Sequence, residues 1–447
     1  MGKKIFAIAA LAALLAGSAA AQDYVPSAEN IAAREQFSHD RFGIFIHWGI
    51  YSMLARGEWV LQNDKLTQDE YSRLAAGFDP SRFDAEEWVK LFKAAGAGYI
   101  TVTSRHHDGF SMFGSKASPY NVVDATPFGR DVIGELSKAC QNEGMRLHLY
   151  YSHVDWGRND YWPLGRTGHD TGRPEGSEGD LQHYRNFMDA QLTELLTNYG
   201  PIGAIWFDGT WDKDAAPREE QPAIWGLRHQ YDLIHKLQPA CLVGNNHHLA
   251  TFEGEDIQIF EKDLPGENEA GFSPNSVISK LPLETCQTMN NSWGYNIHDN
   301  NYKSADYLIQ YLVKTAGKGA NLLLNVGPRP DGTIPEPAVE RLLAMGRWLD
   351  RYGDSIYGTQ GGYVAEQEWG VTTQRGNILF VHVLKPGTAT VEIEVPAGNK
   401  LQSASVYFGT PVKFTTRKEG KKTFAVVTVP EGPEVDNILK LTFRREL

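Results

Sequence analysis

Cysteine is scarce in this sequence of 447 residues. The three cysteines, Cys140, Cys241 and Cys286, lie far apart in the chain, and no CxxC pair occurs. Three cysteines form at most one disulfide, which excludes a fold held together by several disulfides. Their spacing also excludes a recognisable structural zinc site. We therefore expect all three to be small buried apolar residues.

Positive charge is also in short supply. The chain has 43 Lys and Arg against 55 Asp and Glu, and its formal net charge is -12. Nucleic acids bind to basic surfaces, because much of their affinity comes from neutralising phosphates. The composition therefore excludes a nucleic-acid partner, and it disfavours an anionic membrane as a partner for the same electrostatic reason.

No apolar run reaches the roughly 20 residues that a membrane-spanning helix needs. A shorter run near the start follows Lys3 and Lys4 and ends in the small residues Ala19 to Ala21. This arrangement is typical of a cleaved secretory signal, and a retained membrane anchor is the alternative. We predict a signal peptide over residues 1–21, cleaved after Ala21, and an exported protein that is periplasmic or secreted.

Short β-rich runs alternate with amphipathic helical patterns from about residue 40 to 353. Parallel βα units produce this alternation, and eight of them predict a (β/α)8-like TIM barrel over residues 22–355, an α/β fold. The eight strand candidates are F-G-I-F-I-H-W, G-Y-I-T-V-T-S-R-H-H, M-R-L-H-L-Y-Y-S, I-G-A-I-W-F-D, C-L-V-G-N-N, I-Q-I-F-E-K, E-T-C-Q-T-M and N-L-L-L-N-V-G.

The pattern changes near Gly358, where apolar and polar residues begin to alternate between Gly and Pro turns. Examples are the runs I-L-F-V-H-V-L, A-T-V-E-I-E-V, S-A-S-V-Y-F and F-A-V-V-T-V-P. Strands with one buried face alternate in this way, so we predict a C-terminal antiparallel β-sandwich over residues 356–447.

Polar and aromatic residues collect at the ends of the predicted barrel strands, where the catalytic side chains of such barrels lie. A single polar strand end has no functional meaning, whereas a whole rim of His, Trp, Tyr and carboxylate side chains indicates a site. The rim comprises His47 and Trp48, Arg105 to Asp108, Tyr150 and Tyr151, Trp206 and Asp208, Asn245 and Asn246, Glu261, Glu284 and Asn325.

Two chemistries fit this rim. One is metal-assisted hydrolysis with zinc held by His47, His106, His107 and Asp208, but adjacent histidines on a strand point to opposite faces and no H-E-x-x-H spacing occurs. The other is glycoside hydrolysis by two carboxylates, with neutral His, Tyr and Trp holding the sugar. The second chemistry uses more of the rim and is favoured.

Seven motifs, taken in order, resemble the α-L-fucosidases of glycoside hydrolase family 29. They are F-G-I-F-I-H-W-G-I-Y-S, G-E-W-V, R-H-H-D-G-F, Y-Y-S-H-V-D-W, I-W-F-D-G, S-W-G-Y and L-L-L-N-V-G-P-R-P-D-G, and they extend across the barrel from about residue 38 to 353. The resemblance implies a retaining enzyme that removes terminal α-linked L-fucose from glycans. It implies no metal or organic cofactor.

The resemblance also implies roles for particular residues. Asp208, in W-F-D-G, matches the nucleophile that forms a fucosyl-enzyme ester. A further set matches residues that contact the fucose hydroxyls or pack on the ring and methyl group: His47, Glu58, Trp59, His106, His107, Tyr151 and Trp206. The family often has an Arg after the fifth strand, where this chain reads V-G-N-N-H-H.

Two glutamates compete for the role of general acid/base. Glu261 ends an apolar strand beside a loop, which would bring it to the leaving group, so we favour it. Glu284 begins its run and is the second candidate. The alternatives to a fucosidase are a non-catalytic fucose-binding protein and a glycosidase for another sugar such as galactose. The acidic cluster at Glu253 to Asp256 is interpreted as a solvated loop.

Overall fold

Eight parallel strands form a nearly closed barrel in the computed structural model, which describes residues 24–447 except 162, 173–178, 214–215 and 273–276. The predicted signal segment lies outside the described residues. The barrel strands are β1 Phe42–Ile46, β2 Tyr99–Arg105, β3 Arg146–Ser152, β4 Ala204–Asp208, β5 Leu242–Asn245, β6 Gln258–Glu261, β7 Leu283–Thr288 and β8 Ala320–Val326. Each predicted strand is present, and the prediction of a barrel is confirmed.

Helices cover the outside of the barrel. Their N-termini follow the capping rules, since the Asp84 carboxylate accepts from the amides of Glu86 and Glu87, and one helix ends at Gly144 in the left-handed conformation. The helices are α1 Ala28–Asp40, α2 Val60–Asn63, α3 Gln68–Ser72, α4 Ala85–Ala94, α5 Val132–Glu143, α6 Leu181–Asn198, α7 Gln221–Trp225, α8 Leu227–Leu237, α9 Ala305–Gly317 and α10 Glu336–Tyr352.

The barrel departs from regular alternation around β5 and β6. Within the described part of the chain, no helix follows either strand, and the two strands are the edges of the eight-stranded sheet. A single parallel bridge, Gly244 to Ile257, crosses this seam. Backbone donors along the seam therefore need partners other than a strand.

Buried carboxylates accept hydrogen bonds from backbone amides near the seam, where a strand partner is missing. This finding corrects the interpretation of Glu253 to Asp256 as a solvated loop. Asp256 is fully buried, and its Oδ2 accepts from the backbone amide of Val243 at 2.8 Å. Glu255 is also buried, and it accepts from the hydroxyl of Tyr231 and the backbone amide of Phe252 at 3.0 Å. Only the Glu253 end of the cluster is exposed.

Two antiparallel sheets form the C-terminal sandwich, as predicted. One sheet has the order β13-β16-β11-β10-β9 and the other the order β12-β15-β14. Their strands are β9 Gln360–Gly361, β10 Gly370–Arg375, β11 Ile378–Val383, β12 Thr390–Val395, β13 Leu401–Val406, β14 Phe414–Glu419, β15 Lys422–Thr428 and β16 Asn437–Phe443. Alternate side chains of both sheets form a separate apolar core.

The sandwich packs against the barrel helices. Val371, Phe380 and Ile438 belong to the same apolar cluster as the buried faces of α9 and α10. The three cysteines are free and buried, as expected from the sequence. Among the described helices, none is long and apolar enough to span a membrane.

Candidate active site

A cavity of about 310 Å³ opens at the carboxyl ends of the barrel strands. Most of the predicted site residues line it, so the rim of strand ends is a single site. The lining residues are Phe45, His47, Glu58, Trp59, His106, His107, Tyr150, Arg166, Trp206, Asp208, Trp211, Asn246, His248, Glu261, Lys262, Phe272, Cys286 and Trp293.

Asp208 ends β4 and is held by a set of donors. Its Oδ1 accepts from the backbone amide of Gly209 and from Trp211 Nε1, both at 2.8 Å, and its Oδ2 accepts from the Tyr150 hydroxyl at 2.9 Å. Burial, followed by the charge of Glu261, raises the pKa of Asp208, while the Trp211 and Tyr150 hydrogen bonds oppose that shift. The donors therefore favour the ionised form of a buried carboxylate.

Glu261 ends β6 on the other side of the cavity. Its Oε2 accepts from Asn246 Nδ2 at 2.9 Å and lies 3.4 Å from His248 Nε2. Burial would raise the pKa of Glu261, but His248, Asn246 and Lys262 together lower it below its ordinary value. Glu261 thus lies beside Lys262 and beside a histidine that is a cation when protonated.

The side-chain amide of Asn246 lies between the carboxylates of Asp208 and Glu261 and so limits the distance between them. Asn246 Nδ2 lies 3.4 Å from Asp208 Oδ1 and 2.9 Å from Glu261 Oε2. These oxygens cannot be farther apart than the two distances laid end to end. Two carboxylates bridged in this way accommodate the about 5 to 5.5 Å between carboxyl groups that retaining glycosidases have.

His47 presents a hydrogen-bond acceptor. Its Nδ1 lies 2.7 Å from Asn325 Oδ1, and Asn325 Nδ2 donates to the Trp293 carbonyl at 2.7 Å. Because the amide oxygen only accepts, Nδ1 of His47 carries the hydrogen and Nε2 is left as an acceptor. Burial lowers the pKa of His47 to about 4, so the ring is neutral at pH 7.

His107 has the same tautomer for a similar reason. Its Nδ1 lies 2.6 Å from Ser152 Oγ, and that hydroxyl donates to the Val154 carbonyl at 2.8 Å. His107 Nδ1 is therefore the donor, and Nε2 is an acceptor 3.6 Å from Asp208 Oδ2. Burial lowers the pKa of His107 to about 3. Neutral rings with free acceptors suit the hydroxyl groups of a sugar.

Glu58 and three tryptophans complete the walls. The Glu58 carboxylate accepts from the Gly294 backbone amide at 2.7 Å, and burial raises its pKa. Trp59 stacks on Trp211 with ring centroids 5.7 Å apart. Trp206 donates from Nε1 to Glu284 Oε1 at 2.8 Å, which fixes its ring beneath the cavity.

The structure does not bring Tyr151 to the cavity, contrary to prediction. Its hydroxyl donates to Gln191 Oε1 at 2.8 Å on the outer face of β3, and the side chain is fully buried. Tyr150 faces the cavity instead. Side chains alternate along a strand, and the register pairs Tyr150 with Trp206 on β4.

Glu284, the second acid/base candidate, also lies outside the cavity. Both of its oxygens are occupied, one by the Trp206 indole and the other by the Tyr99 hydroxyl, and the side chain has no exposed surface. Burial raises its pKa to about 7. The geometry therefore leaves Glu261 as the glutamate paired with Asp208 across Asn246.

Sequence reasoning did not select several lining residues. Tyr150 and Asn246 stand at predicted strand ends. Alternation along a strand shows that Tyr150 and Tyr151 face opposite sides, and the register with β4 decides which of them faces the cavity. Trp211, three residues after Asp208, contacts that carboxylate directly. Phe45 and Trp293 stand in two of the seven family motifs, F-G-I-F-I-H-W-G-I-Y-S and S-W-G-Y. The other unselected lining residues come from loops or strands, where no local pattern shows that they face the cavity: Arg166, His248, Lys262, Phe272 and Cys286.

The described residues offer no ligand set for the metal-assisted alternative. Over residues 24–447, outside the gaps named above, no group of three or more His, Cys, Asp or Glu side chains is arranged to hold an ion. His47 and His107 instead use one ring nitrogen each on Asn325 and Ser152.

Comparison with known proteins identifies the family. The model of the α-L-fucosidase family matches residues 11–354. The α-L-fucosidase of Dictyostelium discoideum is 30% identical over 421 residues, which cover 86% of this chain and 86% of that protein. The family match includes both carboxylate-bearing strands, β4 and β6.

Two solved structures have the same fold. The α-L-fucosidase isoenzyme 1 from Paenibacillus thiaminolyticus has a TM-score of 0.80 and 32% identity, covering 93% of this chain and 100% of that chain. A family 29 α-L-fucosidase from Bacteroides thetaiotaomicron, trapped as a covalent intermediate, has a TM-score of 0.78 and 26% identity, covering 92% and 96%. That intermediate indicates a retaining mechanism. The predicted family is confirmed: this chain is a glycoside hydrolase that belongs to the α-L-fucosidase family, glycoside hydrolase family 29.

Proposed function

We propose that Asp208 is the nucleophile and Glu261 the general acid/base in the hydrolysis of terminal α-linked L-fucose from glycans. The observation that carries this proposal is the placement of the two carboxylates within reach of one Asn246 amide group. In the first step an Asp208 oxygen attacks the anomeric carbon, Glu261 gives a proton to the glycosidic oxygen, and the bond to the leaving group breaks.

The second step returns the enzyme to its starting state. Glu261 takes a proton from water, the resulting hydroxide attacks the anomeric carbon, and Asp208 leaves as a carboxylate. Asp208 Oδ2 is the proposed attacking atom, because it accepts one hydrogen bond while Oδ1 accepts from three donors. Two inversions at one carbon give net retention.

We propose that the sugar hydroxyls donate to His47 Nε2 and His107 Nε2. The ring and methyl group would pack on the aromatic walls formed by Trp59, Trp206 and Trp293. A second cavity of about 560 Å³ shares Arg166, Trp211, His248 and Phe272 with the first. We propose that this second cavity receives the leaving-group part of the glycan.

The two carboxylate roles are tested by azide rescue of inactive variants. With the 4-nitrophenyl α-L-fucoside, Asp208→Gly leaves room for azide on the vacated face, so the expected product is the β-fucosyl azide. Glu261→Ala still forms the fucosyl-enzyme, so azide attacks that ester and the expected product is the α-fucosyl azide. Product anomers measured by NMR distinguish the roles.

Matched controls define the outcomes that contradict the proposal. Glu284→Ala should give no azide adduct, because Glu284 lies behind Trp206. An α-azide from Glu284→Ala and none from Glu261→Ala would reverse the assignment. Faster turnover of the matching galactoside by wild-type protein would favour another sugar, and fucose binding without turnover would favour a non-catalytic protein.

We also propose that the protein is exported with removal of residues 1–21. The basic start, the short apolar run and the small residues before Gln22 support this proposal. N-terminal sequencing of the protein from its native host should begin at Gln22. A sequence that begins at the initiator methionine would contradict export by cleavage.

A further inference from the structure

His248 stands beside Glu261 in the loop that follows β5. Its backbone has φ 62, a left-handed conformation that is uncommon for residues other than glycine. The neighbouring His247 holds the loop in place, since its Nε2 contacts Glu255 Oε1 at 2.9 Å and its Nδ1 accepts from the Leu249 amide at 3.0 Å. The loop is therefore fixed, and it fixes the position of the His248 ring.

The His248 ring lies beside one carboxylate oxygen, and its Nε2 has no hydrogen-bond partner within the described residues. Its Nε2 lies 3.4 Å from Glu261 Oε2, and the ring packs edge-on against Phe272 with centroids 5.4 Å apart. Both partners are mostly shielded, with side chains 16% and 15% exposed. A partly desolvated pair at this distance is strongly coupled, so its protons belong to the pair.

The pair faces charged and titratable groups from several elements. Asp208 on β4 favours the protonated form of His248, and Lys262 after β6 favours the ionised form of Glu261. The other groups that face the same cavity are His47, Glu58, His106, His107, Tyr150, Arg166 and Cys286.

This contact reverses the effect of burial on both residues. Burial would lower the pKa of His248, but Glu261 and Asp208 raise it above its ordinary value. Burial would raise the pKa of Glu261, but His248 and its neighbours lower it. In the free enzyme the surroundings therefore favour the proton on His248 over Glu261, although the first step of hydrolysis needs it on Glu261.

We propose that His248 is a positioning residue that holds the catalytic proton for Glu261, so that the two side chains share one titratable proton in the free enzyme. This inference rests on the proposed role of Glu261. As the leaving group arrives, the Nε2–H bond of His248 breaks and an O–H bond forms on Glu261 Oε2. Glu261 then passes that proton to the glycosidic oxygen. In the second step the proton that Glu261 takes from water returns to His248.

The pH profile of kcat/KM gives the expected signature. In wild type, activity persists at alkaline pH until the pair loses its last proton, which occurs above the ordinary pKa of histidine. His248→Gln has no proton to hold, so the alkaline limb should move down by about one pH unit. The acid limb should move up, because Asp208 loses a nearby cation.

An arginine at position 248 distinguishes the ability to hold and release a proton from the effect of a fixed positive charge. His248→Arg should leave the acid limb in place, because the positive charge near Asp208 persists, while the alkaline limb falls further, because Glu261 is then always beside a cation. The substrate should be an alkyl α-L-fucoside, whose leaving group needs protonation. His229→Gln is the matched control, since its Nε2 pairs with Asp189 at 3.0 Å on the exterior, and its profile should match wild type.

The outcomes are distinguishable. An unchanged alkaline limb in His248→Gln, or a wild-type profile in His248→Arg, would overturn the proposal. Failure of the wild-type protein to hydrolyse any α-L-fucoside would overturn the proposed function instead. If the His248 variants do not fold, nitrogen-15 NMR of histidine-labelled protein gives a second test. His248 should titrate above pH 6.5 in wild type and at least about one unit lower in Glu261→Gln, and identical titrations would refute the shared proton.

Discussion

At the scale of one residue, the ionisation of Asp208 depends on its hydrogen-bond donors. A nucleophile must be ionised, yet burial and the nearby charge of Glu261 both raise its pKa. The indole of Trp211 offsets this by donating to Oδ1 at 2.8 Å. Hydrogen bonds to a charged group contribute about 1.5–3 kcal/mol, so this single donor is large enough to matter for catalysis.

Replacing Trp211 by Phe should therefore shift the acid limb of the activity profile. The ring can still stack on Trp59, but the ionised form of Asp208 loses a donor, so its pKa rises and activity is lost at a higher pH. We expect kcat/KM at the optimum to fall by roughly 10-fold to 100-fold, as the loss of one charged hydrogen bond predicts. Trp59→Phe is the control for replacing an indole by a phenyl ring in the same wall, and the acid limb of its activity profile should not move. A Trp211→Phe profile with the wild-type acid limb would contradict the role of the indole N–H.

Substitution of Glu284 should change stability rather than catalysis, because its carboxyl group holds Trp206 and Tyr99 and lies outside the cavity. Its pKa is raised by burial to about 7 from 4.5, so the folded protein binds a proton that the unfolded chain releases. Its contribution to stability is therefore complete below pH 4.5 and disappears as the pH rises to about 7. The difference in free energy of unfolding between wild type and Glu284→Gln should shrink over that window, as measured by urea unfolding. A constant difference would show that folding does not raise the pKa of Glu284.

At the scale of elements, a buried polar chain joins the sandwich to the barrel. The Thr373 hydroxyl on β10 donates to the Ser355 carbonyl beyond α10, and it also contacts His382 Nε2 at 3.1 Å. His382 Nδ1 lies 2.7 Å from Asp436 Oδ2, and both side chains are fully buried. Burial raises the pKa of Asp436, and His382 opposes that shift.

His382→Leu should destabilise the protein more than Asp436→Asn. The first substitution leaves a buried carboxylate without its partner, which costs about 3–5 kcal/mol, whereas the second leaves neutral groups that can still bond. Thermal unfolding of both variants tests the order. Fucoside hydrolysis by the folded fraction should be unchanged in both variants, because His382 and Asp436 do not line the cavity. Equal destabilisation would indicate that packing rather than charge sets the cost.

Prediction from sequence succeeded where one-dimensional patterns decide the structure. Apolar runs at β1 and β8 and the alternating run at β12 mark strands because burial depends on local spacing. The choice between Tyr150 and Tyr151 failed because it depends on register with β4. The seam at β5 and β6 was missed because the acidic residues that complete it look like a solvated turn.

At the scale of the whole molecule, the site combines elements that are distant in the chain. His248 and Phe272 come from loops whose course no periodicity determines, and they meet because the barrel brings their strands together. The protein as a whole is acidic, yet Arg166, His248 and Lys262 line the cavity. Net charge therefore excluded classes of partner but could not describe the site.

The shared core predicts that the sandwich and the barrel unfold together. Phe380 is 2% exposed and packs in the cluster that contains the buried faces of α9 and α10, so truncating it opens a cavity common to both units. Phe380→Ala should lower the free energy of unfolding by about 3–5 kcal/mol. The temperature at which activity is lost and the temperature at which the sandwich unfolds should fall by the same number of degrees. Val391→Ala, in the separate core of the sandwich, is the control for a cavity remote from the barrel. Calorimetry and residual activity should give one coincident transition in wild type and both variants. Activity that survives after the sandwich has melted would mean that the barrel is stable alone, and the apolar contact at Phe380 would then be dispensable.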